Sequence, residues 1–316
     1  MILIVAEKKA FAQVVAEVLN ITQTKGGYWQ NNQYYVTWCF GHLVELCKPA
    51  TYGSQYEKWN YESLPVIPTT FQHEVIEKPE IAKKLFSIIK KLMNQKDVTE
   101  IICATDADRE GELIYRRVHN MAGCNKPVKR LWVDSMENKE VEKAFQSMKP
   151  MAEYDHIYEA SHCRAISDWL IGMNGSRLFS VLYAPEKISV GRVQTPTERM
   201  VVERDLQIEN FIKQTYYTVT LKCAGLDAEG ERIDAIEKAK EIHALTDMQD
   251  AEIISVERTE KNNNPPKLYS LSNLQGDANQ YFAYTAQQTL DLVQKLYEKK
   301  LMTYPRTSSL YITSAM

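Results

Sequence analysis

The chain has 316 residues, 44% of them hydrophobic and 25% charged, with 38 Lys and Arg against 41 Asp and Glu for a net charge of −3. That length accommodates two or three domains with cores of their own. The composition is ordinary for a soluble globular protein. The acidic balance argues against a nucleic-acid binder only weakly, because phosphate contact needs a local basic surface rather than a basic whole.

The first apolar run, Ile2–Ala6, is interrupted by Glu7, Lys8 and Lys9. It is too short for a signal peptide or a membrane span and reads as a buried strand. Phe11, Val14, Val15, Val18 and Leu19 follow at helical spacing. Residues 34–40 are rich in aromatic and β-branched side chains and predict a second strand. Residues 81–92 read as a helix, 100–105 as a strand, 113–121 as a helix, 129–133 as a strand and 141–148 as a helix. This alternation predicts an open α/β sheet covered by helices. Residues 154–209 change to long helices, with Ala160, Ile166, Leu170 and Ile171 as expected core positions. Residues 216–223 and 251–258 alternate as strands do, and the run from Asn262 to Pro266 is the clearest linker. Thr285 followed by Gln288 is a capping-box signature for a helix presenting Leu290, Val293, Leu296 and Tyr297 on one face, ending near Lys299 and Lys300. The six cysteines contain no C-x-x-C pair, which argues against a zinc site in this chain and fits a reducing cytoplasm.

The densest chemistry is Asp106-Ala107-Asp108-Arg109-Glu110-Gly111-Glu112, directly after the strand at 100–105. A buried strand here delivers acidic residues at alternate positions into the turn that opens a helix. In open α/β sheets, ligands sit outside the carboxyl ends of strands. Glu7 follows the first strand in the same way, so Glu7, Asp106, Asp108 and Glu110 are expected to converge. Such an oxygen-rich cluster suits Mg²⁺, which would stabilise charge on a phosphate under attack. The plainer alternative is a solvated acidic turn capping the next helix.

This motif, with Glu7-Lys8 upstream, resembles the Toprim domain shared by topoisomerases, primases and some nucleases. Further segments narrow the resemblance to type IA DNA topoisomerases, closest to topoisomerase III. They are Val36-Thr37-Trp38-Cys39-Phe40-Gly41-His42-Leu43, Lys58-Trp59-Asn60, Leu64-Pro65-Val66-Ile67-Pro68 and Ser167-Asp168-Trp169-Leu170-Ile171-Gly172-Met173-Asn174. Ser189-Val190-Gly191-Arg192-Val193-Gln194-Thr195-Pro196 and Leu301-Met302-Thr303-Tyr304-Pro305-Arg306-Thr307 complete the set.

The resemblance implies a Toprim domain over residues 1–152 and the first part of a helical DNA-groove domain over 153–214. It also implies the first part of a β-rich arch over 215–266 and an incomplete catalytic-tyrosine domain over 267–316. It makes Tyr304 the nucleophile on a backbone phosphate, giving a 5′-phosphotyrosyl link and a free 3′-hydroxyl. Tyrosine hydroxyls are poor nucleophiles at their usual pKa of about 10, so a nearby cation or metal is required. Arg306 would donate to phosphate oxygens, and Lys8 would lie near the leaving oxygen. Trp59, Trp169, Arg177 and Ser189, Val190, Gly191, Arg192, Val193 and Gln194 are implied to line the path of single-stranded or underwound duplex DNA. Arg164 and Asp168, four apart on one helix, are expected to pair, with Arg164 aimed at phosphate; the plain reading is a surface ion pair.

Mg²⁺ is the implied cofactor, and no nucleotide is expected, since no G-x-x-x-x-G-K-[ST] loop occurs. A monomeric, cytoplasmic, nucleoid-associated enzyme without membrane contact is implied. Three departures from the family pattern stand out: Lys9-Ala10 replaces Pro-Ser, Gly276 replaces an arginine, and Ser308 replaces an aspartate. Family members continue far beyond their catalytic tyrosine, so a chain that stops soon after Tyr304 is expected to bind DNA and relax supercoils poorly by itself.

Overall fold

The structure is a computed structural model that describes residues 1–250, 252–306 and 309–312. In chain order its elements are β1 (Ile2–Ala6), α1 (Lys9–Val18), β2 (Gln23–Lys25), β3 (Tyr28–Gln30), β4 (Tyr34–Trp38), β5 (Val44–Leu46), β6 (His73–Val75) and α2 (Glu80–Met93). There follow β7 (Glu100–Ala104), α3 (Arg109–Ala122), β8 (Val128–Arg130), α4 (Asn138–Gln146), β9 (Lys149–Pro150) and α5 (Asp155–Leu182). The remainder is α6 (Gln194–Glu209), β10 (Thr220–Cys223), β11 (Leu226–Glu229), α7 (Ile236–Thr246), α8 (Leu271–Phe282) and α9 (Ala286–Glu298). Two compact units emerge, residues 1–194 with 267–316, and residues 195–266.

The first unit is built on a seven-stranded sheet in the order β2-β3-β4-β1-β7-β8-β9. Strand β1 lies parallel to both β4 and β7, Ile4 being level with Val36 on one side and Ile102 on the other. Covered on both faces, such central strands are continuously apolar, as the run Ile-Leu-Ile-Val-Ala requires. Side chains alternate between two cores. Leu3, Val5, Ile101 and Cys103 pack with Leu85, Ile89 and Met93 of α2 and Tyr115 and Val118 of α3. Ile4, Ala6, Ile102 and Ala104 face Phe11, Ala12 and Val15 of α1 and Val141 and Ala144 of α4. Tyr297 of α9 joins this second core, so the helix before Tyr304 is anchored under the sheet. The capping box forms as expected, with the Thr285 hydroxyl accepting from Gln288 N and the Gln288 side chain accepting from Thr285 N. Thr289, Val293 and Tyr297 are buried, Leu290 is half-buried, and Leu296 is exposed.

Three expectations change. The strand predicted at 129–133 ends at Arg130, and Trp132 leaves the sheet to stack on Tyr154 with ring centroids 4.9 Å apart. On α5, Ala160 and Ile171 are exposed and Ile166 and Leu170 only half-buried, whereas Ser161, Trp169, Arg177 and Ser180 are buried. The contact face of α5 carries small and hydrogen-bonding groups, because the helix approaches α3 closely enough for Ser161 Oγ to donate to Arg109 O at 2.6 Å. Residues 252–258 form no strand, and Ala251 lies outside the described residues. Ile253, Ile254 and Val256 stay exposed there; alternation alone does not make a strand without a partner to pair with.

The second unit holds most of α6, the antiparallel β10–β11 hairpin and α7. The hairpin turns through Ala224 and Gly225, both at positive φ (48° and 83°), as a two-residue connection between right-twisted strands demands. No described helix is long and apolar enough to cross a membrane.

Candidate active site

The carboxyl ends of β1 and β7 lie side by side, Ala6 level with Ala104, so the residues that follow each strand emerge together. Glu7 is 7% exposed, and its Oε2 accepts from Asp106 N at 3.2 Å. Lys8 Nζ lies 2.8 Å from Asp106 Oδ2 and 3.4 Å from Glu7 Oε1. Burial and the neighbouring Asp106 charge push the Glu7 carboxyl up to about 7. Asp108 caps α3, its Oδ1 accepting from Gly111 N at 2.7 Å. The capping reading of this acidic turn is therefore true of one oxygen of Asp108, which leaves the other for the site.

Tyr304 occupies that site. Its hydroxyl donates to Asp106 Oδ2 and Asp108 Oδ2, each at 3.2 Å. Its ring meets Tyr297 edge-on, with centroids 5.6 Å apart and planes at 72°. Burial and the charges of Asp106, Asp108 and Glu7 raise its hydroxyl well above the ordinary tyrosine value. Arg306 is exposed and forms no ion pair among the described residues. Thr307 and Ser308 lie outside those residues.

Glu110 does not join the other three carboxylates. It sits in the first turn of α3, ion-paired with Arg164, and its Oε2 is 3.3 Å from His42 Nε2. The cause is helical geometry: two residues beyond the Asp108 cap, the side chain points toward α5 rather than over the strand ends. Among the described residues no group of three or more His, Cys, Asp or Glu side chains stands in metal-holding geometry. The expected Arg164–Asp168 pair is likewise not made. Arg164 turns to Glu110, while Asp168 accepts from Arg192 Nε at 2.5 Å. That bond holds the Asp168 carboxyl below its usual range.

The remaining predicted residues separate into different environments. The Arg177 guanidinium lies over the half-exposed Trp59 ring at 5.6 Å, and its Nη2 donates to Tyr56 O at 2.7 Å. Trp169 is buried, donates to Cys47 O at 3.0 Å, and takes edge contacts from Tyr52 and Phe71; it packs as core. Residues 189–194 run back along α5, where Val190 N donates to Ser176 Oγ at 2.9 Å. Gly175 permits this approach, since a Cβ there would stand 2.7 Å from Val190 Cγ1. Ser189, Arg192, Val193 and Gln194 are exposed. Gly276 lies on α8 with open space around it.

Beneath the acidic turn is a buried network that the acidic motif does not announce. Arg130, fully buried on β8, donates through Nε to Glu112. It also donates to the carbonyls of Thr105 and Leu131 at 2.8 Å, Asp106 at 2.7 Å and Cys103 at 3.3 Å. Glu112 also accepts from Arg116 Nε at 3.4 Å. The sequence carried little signal for it, since Arg130 follows Lys129 in a short Val-Lys-Arg strand and reads as an ordinary charged position.

Between α3, α5 and β5 lies a cavity of about 520 Å³, bordered among others by His42, Lys48, Glu110, Arg117, Arg164 and Trp169. Beside it His73 stacks on His162 at 5.9 Å. Burial, with Arg117 and His162 nearby, pushes the His73 imidazole down to about 4. The folded state thus keeps this ring neutral where the unfolded chain, near 6.5, takes up a proton. The stability so conferred is complete above pH 6.5 and drains away as pH falls toward 4. After allowance for partial exposure the loss is on the order of 2 kcal/mol. Urea denaturation across that window should show a shallower decline in His73→Gln; equal slopes would refute the assignment.

Comparison with known proteins agrees with this geometry. A family model described as Toprim domain matches residues 2–136, and one described as DNA topoisomerase matches residues 152–316, just over half of the chain. The DNA topoisomerase 3 of Bacillus cereus is 40% identical over 325 aligned residues, covering 98% of this chain and 43% of the relative. That of Staphylococcus saprophyticus is 39% identical, covering 99% and 44%. The chain thus spans less than half the length of the curated relatives it matches. The full-length topoisomerase I of Thermotoga maritima has the same fold at 23% identity, with a TM-score of 0.67 over 99% of this chain and 50% of that one. On the family match, the shared fold and the Toprim arrangement, the chain belongs to the type IA DNA topoisomerases.

Proposed function

We propose that the chain carries the nucleophile and acidic centre of an ATP-independent type IA topoisomerase that cuts single-stranded DNA by transesterification at Tyr304. One observation carries this reading: the Tyr304 hydroxyl is bonded to both Asp106 and Asp108 at the ends of the sheet, 198 and 196 residues away in sequence. A surface Tyr-Pro turn has no reason to be seated there.

The Tyr304 oxygen attacks phosphorus while its proton passes to the aspartates that already accept its hydrogen bond. The bond from phosphorus to the 3′ oxygen breaks, leaving a 5′-phosphotyrosyl ester. The 3′ oxygen departs as a hydroxyl with a proton from Glu7, whose carboxyl burial and the Asp106 charge raise to about 7. Lys8, within 2.8 Å of Asp106, supplies positive charge beside the leaving group. Reversal of the same transfers rejoins the strand, so the cut needs no nucleotide.

The donors suit a hard divalent cation by their chemistry, although they do not stand in metal-holding geometry in this structure. Glu7, Asp106 and Asp108 present only oxygens, and burial together with the Asp106 charge lifts the Glu7 carboxyl to about 7. Bound Mg²⁺ would neutralise the charge that now raises the Tyr304 hydroxyl. Glu110, turned toward Arg164, then serves to orient that arginine.

In this reading residues 1–152 are the Toprim domain, 153–214 the start of a DNA-groove domain, 215–266 the start of an arch and 267–316 the start of the catalytic-tyrosine domain. The substrate is single-stranded or underwound duplex DNA, held by a monomer of a nucleoid-associated cytoplasmic enzyme. The whole enzyme passes a second strand through the cut, relaxing negative supercoils or decatenating. Incubation with end-labelled single-stranded DNA and Mg²⁺, followed by denaturation, should give covalent adducts that vanish in Tyr304→Phe. Binding without adduct would mean a DNA-binding fragment, and cleavage surviving Tyr304→Phe would mean a nuclease of the wider Toprim group.

A further inference from the structure

At the back of the cavity between α3, α5 and the β5–β6 hairpin, Arg117 is 6% exposed, and its Nε and Nη2 are shut off from solvent without a hydrogen-bond partner. His73 Nε2 and His162 Nδ1 beside it are buried and unpartnered as well. The guanidinium forms no ion pair among the described residues. Of the acids that border the cavity, Glu110 pairs with Arg164 and Asp168 with Arg192; Glu45, exposed on β5, lends Arg117 its charge without forming an ion pair. Burying an unpaired guanidinium costs several kcal/mol, and buried polar groups without partners, which on this hairpin also include Glu74 Oε1, call for an explanation. Lys48, Arg164 and His42 border the same cavity, so its walls carry more potential donors to an anion than free acceptors.

We propose that Arg117, backed by His73 and His162 and flanked by Lys48, forms an oxyanion site for a phosphate group, separate from the Tyr304 centre. A guanidinium presents paired N–H donors that match phosphate oxygens. Neutral imidazoles beside it gain protons, and a further donor each, once an anion offsets the Arg117 charge. The depressed imidazoles of His73 and His162 are consistent with an anion-free site dominated by Arg117. Two sources share this chemistry: a backbone phosphate of a bound strand, or free phosphate.

The test uses the 316-residue chain with inorganic phosphate and chloride at matched ionic strength, in wild type and Arg117→Met. Phosphate should raise the wild-type Tm by several degrees more than it raises that of Arg117→Met; general salting effects act on both and cancel. Without phosphate, Arg117→Met should melt no lower than wild type, because an unpaired buried charge has been replaced by an apolar chain. Should that variant fail to fold, the His73 and His162 ring resonances of wild type provide the reading: phosphate must move them saturably. A missing saturable shift, or an equal phosphate response in the folded variant, overturns the site and leaves buried water as the occupant. A short oligothymidylate that produces the same shifts and blocks the phosphate response identifies the strand as source; an undiminished phosphate response beside it identifies the free anion. Tyr304→Phe should keep every one of these responses, so their loss is distinguishable from failure of the transesterification reading.

Discussion

Arg130→Met should lose about 3–5 kcal/mol of folding stability, the usual cost of removing one partner from a buried ion pair. The replacement leaves Glu112, itself fully buried, with only the 3.4 Å contact from Arg116 Nε. It also strips donors from the carbonyls of Cys103, Thr105, Leu131 and Asp106. Those carbonyls belong to the end of β7 and the acidic turn, so the loss is both energetic and positional. Urea denaturation measures the first; a loss below about 1 kcal/mol would show that the network is not what holds the turn. The double replacement Arg130→Met with Glu112→Leu should recover much of the stability, because both charges then leave the core. It should not recover covalent adduct formation, since the turn that aims Asp106 at Tyr304 has still lost its anchor.

Gly111→Ala should be the most damaging single-methyl change in the site. A Cβ at Gly111 would stand 2.2 Å from Asp106 O and 3.0 Å from Asp106 C and N. All three are backbone atoms, so no rotamer change relieves the clash and the turn itself must move. The glycine backbone is also in use, its N–H donating to Asp108 Oδ1 and its carbonyl accepting from Thr105 Oγ1. Forced overpacking typically costs 1–3 kcal/mol. The larger effect falls on chemistry: Asp106 and Asp108 shift together relative to Tyr304. We expect adduct formation to drop at least about 100-fold, the scale lost when a catalytic donor is misplaced by about 1 Å, while affinity for single-stranded DNA stays within a few-fold. Wild-type adduct yields in Gly111→Ala would contradict the packing described for this turn.

What was legible in the sequence follows from local physics. Continuous apolar runs announce strands covered on both faces, which is why β1 and β7 were placed to within a residue or so. The Thr285–Gln288 box is a local contact, so its helix was readable in full. The acidic motif was legible because alternate carboxylates after such a strand have few other uses. Tyr304 was singled out by resemblance, since spacing alone does not separate it from 17 other tyrosines.

Tertiary structure decided the rest, because the deciding partners lie far away in the chain. Glu110 belongs to Arg164 only because α5 packs on α3, and Asp168 belongs to Arg192 only because the segment after α5 folds back along it. Residues 252–258 have the periodicity of a strand but form none among the described residues. Arg130 reads as one more charged residue after Lys129 until the fold brings it against Glu112 and the acidic turn. The sequence by itself determined the α/β sheet and the acidic turn, through apolar periodicity and side-chain chemistry, and it singled out Tyr304 only through resemblance to a family. Only the tertiary structure decided which three carboxylates gather at Tyr304 and what charge pairs hold them, because ion pairing is set by distance in space and not along the chain.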